Sequence, residues 1–146
     1  MHLRQILAAA LLVVSVSAPA FAKDARDSAK KHVEFGITVA QKGLWREAIY
    51  RWEQAAKIDP NYPAAFNNLA IAYEHEGQFE KARKAYERAL DIEPDYPPAL
   101  YNLGVLYMDF DKVPAKAKDF LTQYTQSVGN DDPKRADAVS RLKELK

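Results

Sequence analysis

Residues 63–96 read PAAFNNLAIAYEHEGQFEKARKAYERALDIEPDY. Within them Phe66, Leu69, Ala70 and Tyr73 recur at the three- and four-residue steps that bring side chains to one face of a helix. Gly77 then interrupts the pattern, as a residue that accepts left-handed dihedrals where a helix must stop and turn. A second helical stretch follows, with Ala82, Tyr86 and Ala89 on one face, and Pro94 closes it because proline cannot donate the helical hydrogen bond. The stretch predicts two helices, Pro63 to Glu76 and Phe79 to Ile92, joined by a tight turn. Small residues at Ala70, Ala82 and Ala89 let the two helices approach closely, and Tyr86 fills the space beside them.

The same arrangement recurs on both sides at an interval of 34 residues. Upstream, Gly43, Ala48, Trp52, Ala55 and Pro60 stand 34 residues before Gly77, Ala82, Tyr86, Ala89 and Pro94. The turn Asp59-Pro60-Asn61-Tyr62 matches Glu93-Pro94-Asp95-Tyr96 in the same way. Downstream, Gly104 lies 34 residues after Ala70, which itself lies 34 after Gly36. The flanking copies predict helices from Asp27 to Lys42, Trp45 to Ile58, Pro97 to Phe110 and Pro114 to Ser127. The last copy departs from the pattern in its second half. Phe110 to Pro114 replaces the glycine turn, and Ala117 arrives one residue late, ahead of Leu121 and Tyr124. A final helix is expected from Pro133 to Leu145, capped by Asp132, with Ala138, Leu142 and Leu145 facing inward and Arg135, Asp137 and Arg141 facing water. An array needs such a polar closing element to hide its end.

The pattern resembles the tetratricopeptide repeat family, whose signature is W-x-x-L-G-x-x-Y, A-x-x-x-F, an alanine and a closing proline. Leu100, Leu103, Gly104 and Tyr107 match its first half, and residues 63–96 match it throughout. The first copy offers His32, Phe35, Gly36 and Val39, then Ala48, Trp52, Ala55 and Pro60. The resemblance implies an all-α, right-handed superhelical array of helix-turn-helix repeats with a C-terminal capping helix. Repeats are expected at about residues 29–62, 63–96 and 97–129, the last divergent, within a unit of residues 23–129, and the cap over residues 130–146.

Residues 1–22 read as a secretory signal peptide. His2 and Arg4 precede an apolar run from Ile6 to Val16, and Ala18-Pro19-Ala20-Phe21-Ala22 supplies small residues for a peptidase. The run is shorter than the roughly 20 residues of a membrane span. Cleavage after Ala22 and a periplasmic or secreted destination are the expectation. The rival is a retained N-terminal anchor making the chain a membrane-anchored structural subunit; membrane association is expected only in that case.

Composition narrows function. Of 146 residues, 21 are Lys or Arg and 20 Asp or Glu, so no basic excess marks a nucleic-acid partner. Cysteine is absent, which removes thiol catalysis, disulfides and thiolate metal sites. Neither G-x-S-x-G, H-E-x-x-H nor a glycine-rich phosphate loop occurs. His75 lies between Glu74 and Glu76, which project around a helix rather than toward one point. No catalytic residue, metal site or cofactor is therefore expected, and the chain reads as a non-enzyme.

The resemblance further implies a concave groove lined by the first helix of each pair. Its candidate residues are Val33 and Ile37; Asn67, Asn68, Ile71, Glu74 and His75; and Tyr101, Asn102, Val105 and Met108. Amides among apolar side chains suit a peptide backbone, because asparagine both donates and accepts. A protein or peptide partner is thus expected. The same residues are equally consistent with burial inside the array for Ile71, Val105 and Met108, and with solvation for Asn68 and Asn102. Lys30 is the sole cation at the groove edge, so a clamp for a C-terminal carboxylate is not expected.

Overall fold

The computed structural model describes residues 18–145 and consists there of seven α-helices with no strand. They are α1 (Ala18–Gln41), α2 (Trp45–Ile58), α3 (Pro63–His75), α4 (Phe79–Ile92), α5 (Pro97–Asp109), α6 (Pro114–Ser127) and α7 (Arg135–Glu144). Consecutive helices pair as α1 with α2, α3 with α4 and α5 with α6, and each pair rests on the next through α2–α3 and α4–α5. This is a tetratricopeptide-like helical array, with α7 packed on α6 at its end.

The repeated small residues act by proximity. A methyl group on Gly36 would run into the Trp52 indole, and one on Gly104 would lie 2.8 Å from Leu121 Cγ. Ala70, Ala82 and Ala89 are wholly buried around Tyr86, which is buried too. Trp52 donates its indole hydrogen to the Val33 carbonyl at 3.2 Å, so the largest side chain of the first pair also has its polar atom satisfied. Gly43 and Gly77, at φ 78° and 73°, make the left-handed turns that end α1 and α3.

The third pair accommodates its irregular turn. Lys112 takes the left-handed conformation, φ 53°, that glycine takes in the other two turns. The extra residue shifts α6 by one position, so Leu121, 35 residues after Tyr86, becomes the side chain wedged against Gly104. Ala117, Leu121 and Tyr124 are all buried. The observed α6 coincides with the helix expected from sequence.

Two boundaries differ from expectation. Helix α1 already includes Ala18, the first described residue, well ahead of the expected start near Asp27. Four of residues 18–26 are alanines, which favour helix, and Arg26 ties the segment down through an ion pair with Asp59 and a 2.8 Å bond to the Asn61 carbonyl. The Arg26 guanidinium also sits 4.7 Å above the Tyr62 ring. The expected cleavage point after Ala22 therefore lies inside α1, whereas most of the expected signal lies outside the described residues. Helix α7 starts at Arg135, two residues after Pro133, because Asp132 caps a preceding turn instead: its carboxylate accepts from the Lys134 backbone at 2.9 Å and from the Tyr124 hydroxyl. No helix among the described residues is long and apolar enough to cross a membrane.

Candidate functional site

The inner faces of α1, α3 and α5 carry the predicted groove residues, and the two ends of that surface are built differently. Between α1 and α3 lies an open apolar pocket of about 240 Å³, lined by Ile37, Ala40, Gln41, Trp45, Trp52, Asn68 and Ile71. Ile37 is 38% exposed, which is unusual for so large an aliphatic side chain and places it at the pocket rim. Asn68 donates its amide to the Ala64 carbonyl of its own helix at 2.7 Å, which fixes the side chain within the pocket wall.

Trp45 joins this pocket to a broader depression of about 850 Å³ over the first helical turn, where it meets Leu44, Arg46, Glu47, His75 and Glu76. His75 is exposed and stacks on the Trp45 indole, with centroids 4.0 Å apart and planes 21° from parallel. The next pair repeats the device, with Phe79 stacked on Phe110 at 3.9 Å. His75 is thereby an aromatic-stacking residue, and among the described residues no group of metal-ligating side chains converges on it.

Glu74 lies one helical turn beyond Ile71 on the same face of α3. Its carboxylate accepts a 2.9 Å bond from the Tyr86 hydroxyl and has no cationic partner among the described residues. Burial raises its pKa, and the nearby Asp109 carboxylate raises it further, against the lowering effect of the Tyr86 bond. Tyr86 is correspondingly harder to ionise, through burial and then the charge of Glu74.

Toward the other end the groove is occupied. The Tyr101 hydroxyl donates to Asp137 at 2.7 Å, and the Lys134 ammonium lies 4.5 Å from the centre of the Tyr101 ring. Arg141 bonds Asp137 at 2.7 Å and Asp109 at 3.2 Å, and reaches the Met108 sulfur at 3.9 Å. The hydrogen bond from Tyr101, then that from Arg141, holds the Asp137 carboxyl below its usual range. Val105 packs into a cluster with Leu142 and Leu145, and Met108 into one with Leu145.

The predicted residues thus divide. Ile37, Asn68 and Ile71 line the open pocket, His75 lines the depression that shares Trp45 with it, and Glu74 follows one turn beyond Ile71 on α3. Val33 is buried in the core beneath it, and Asn67 is buried and accepts from the Asn102 amide at 3.2 Å, a bond between successive repeats. Both point inward because they sit where one inner helix faces the next. Tyr101, Val105 and Met108 are half-buried beside α7, whose Asp137 and Arg141 reach toward α5 while Asp137 itself stays exposed. Trp45, Ala40 and Gln41 complete the pocket and were not singled out from sequence. The signal for Trp45 was present in its 34-residue spacing from Phe79.

Comparison with known proteins fits this geometry. A family model described as TPR repeat matches residues 39–75 and 75–109. Residues 39–109 are tetratricopeptide repeats. Among solved structures, the chain is similar to the first TPR of Spaghetti (RPAP3) bound to the HSP90 peptide SRMEEVD, with 22% identity and a TM-score of 0.72 over 82% of this chain and 91% of that one. It is similar to the Sgt2 TPR domain from Aspergillus fumigatus, with 26% identity and a TM-score of 0.70 over 80% and 76%. It is also similar to the Yersinia enterocolitica type III secretion chaperone SycD in complex with a peptide of the translocator YopD, with 15% identity and a TM-score of 0.72 over 82% and 92%. No curated protein sequence matches the chain. The likeness to these structures is one of fold.

Proposed function

We propose that this chain is an exported, non-enzymatic tetratricopeptide scaffold that holds a segment of a partner protein in the groove between α1 and α3, in the service of assembling an envelope complex. The observation that carries the reading is the open apolar pocket at Ile37, Trp45 and Ile71, which lies between the inner helices α1 and α3. Such a pocket with an amide on its wall suits one apolar side chain of a bound peptide and its backbone. The similar structures of RPAP3 and SycD hold peptides on a comparable fold, by their own descriptions. Export rests on the apolar run and small residues of the first 22 positions.

A photo-crosslinking residue at position 71 tests the reading, with position 84 on the outer face of α4 as control. The proposal predicts covalent capture of a defined segment of another envelope protein from position 71 and not from position 84. Equal capture from both positions, or none from either, contradicts it.

A second reading is favoured by α1 itself. The helix runs unbroken through Ala22, so a retained N-terminal segment would project from the array on a continuous helical stem. In that case the chain is a membrane-anchored structural subunit. Intact mass of the exported protein separates the two: a mass beginning at Lys23 supports the soluble scaffold, and a full-length mass the anchored one.

A further inference from the structure

The comparison structure of RPAP3 holds a peptide ending in two glutamates, a valine and an aspartate, and such a ligand needs cations in the groove. This chain presents the opposite charge. Glu74 stands half-buried on the same face as Ile71, with a hydroxyl as its partner and no cation, and Asp109 faces it from the next inner helix. Arg141, the cation that reaches Asp109, is already divided between Asp109 and Asp137. A carboxylate taken partly out of water without a counter-charge is an unfavourable element in the free protein. It becomes favourable when a cation arrives, and it lies one helical turn along α3 from Ile71 of the pocket wall.

We infer that the groove selects a peptide that seats an apolar side chain between Ile37, Trp45 and Ile71 and places a lysine or arginine on Glu74. The inference deepens the peptide-binding reading and rests on it. The spacing is consistent with a short motif. Ile71 and Glu74 are about 4.5 Å apart along the helix axis, at a rise of about 1.5 Å per residue. Alternate side chains of an extended peptide are about 6.6 Å apart, so an apolar residue and a cation two positions later reach both sites once the flexible lysine or arginine stem adjusts. A burial-raised Glu74 is also the carboxylate whose charge a cation stabilises most, since pairing removes the penalty that burial imposes.

Fluorescence anisotropy on the full chain tests this with three labelled peptides of sequence Ser-Ala-Leu-Ser-X-Ala-Ser, where X is lysine, norleucine or glutamate. The lysine peptide is expected to bind about tenfold or more tighter than the glutamate peptide, with norleucine between them. Glu74→Gln keeps the acceptor for Tyr86 and removes the charge, and should bring lysine and norleucine to within about twofold of one another. Ile71→Asp should abolish binding of all three. A lysine preference that survives Glu74→Gln overturns the inference, as does equal binding of all three peptides. Equal binding that Ile71→Asp still abolishes leaves the peptide-binding reading standing while ending the charge selection. Binding of none of the three overturns the motif, and absence of crosslinks from position 71 then ends the broader reading as well. Sedimentation run alongside covers the remaining occupant: a dimer of the free chain that Glu74→Gln dissociates would assign the groove to a second copy and contradict the inference.

Discussion

The two halves of the inner surface share a sequence pattern and differ in what lies on top of them. Ile37, Ile71 and Val105 are spaced by 34 residues, yet Ile37 and Ile71 line an open pocket and Val105 is roofed by Leu142 and Leu145. Asn68 and Asn102 keep the same interval, yet Asn68 bonds its own helix and remains in the pocket wall, while Asn102 donates to Asn67 of the neighbouring repeat. At Val105 the difference comes from α7, which packs against the last pair and bonds Tyr101 and Asp109 of α5 through Asp137 and Arg141, whereas Asn102 is bonded from α3. A repeat position predicts the direction of a side chain, and its neighbour in the array decides whether that direction leads to solvent.

Substitutions in the two halves should therefore separate stability from binding. The largest effects fall on the wedges that hold each pair together. Trp52→Ala in the first pair should destabilise by about 3–5 kcal/mol, and Leu121→Ala in the third by about 2–5 kcal/mol, read from denaturant midpoints. If Leu121→Ala leaves stability unchanged, the shifted register of α6 is wrong. Ala138→Glu forces a charge into the buried contact between α7 and the array and should cost about 3 kcal/mol or more, with Tyr101, Val105 and Met108 newly open to dye binding. Loss of stability without that exposure would show that α7 does not roof the last pair.

Glu74→Gln should have the opposite sign. The folded pKa of Glu74 lies above its unfolded value, so the folded state holds the proton more tightly and stability falls as pH rises through that interval. Tyr86 from α4 and Asp109 from α5 face this carboxylate, and neither offers it a positive charge. The substituted protein should melt above the parent at neutral pH, and the gap should close as pH falls below the ordinary glutamate range of about 4.3. A parent that is more stable than Glu74→Gln at neutral pH contradicts the unpaired-charge account. The smallest effect is expected for Arg141→Ala. Its ion pairs with Asp109 and Asp137 are largely exposed to solvent, so the change should be within about 1 kcal/mol and shrink with added salt.

Much of the fold was legible because it repeats. Gly36, Ala70 and Gly104, with Trp52 and Tyr86, carry their packing role in their size and spacing, and the helices α2 to α6 fall within a residue or two of their expected limits. That α1 extends back through Ala22 was not legible, because the alanines there serve equally as a peptidase site and as good helix formers. The site was legible in part. The resemblance to the repeat family placed Ile37, Asn68, Ile71, Glu74 and His75 on the inner helices. It could not show that Val33 and Asn67 turn into the seam between inner helices, nor that Asp137 and Arg141 on a polar helix fold back over α5. Those outcomes depend on contacts between elements far apart in the chain, which local spacing does not encode.

The central claim is that a peptide enters the open half of the groove and not the roofed half. The chain has two tryptophans, Trp45 at the pocket and Trp52 buried behind it, and their indole N–H signals can be followed separately by NMR during titration with the lysine-bearing peptide. The account predicts a large, saturable shift of the Trp45 indole together with the Ile37 and Ile71 methyls, and little change at Tyr101, Val105 or α7. Shifts centred on α5 and α7, with Trp45 unmoved, would contradict it.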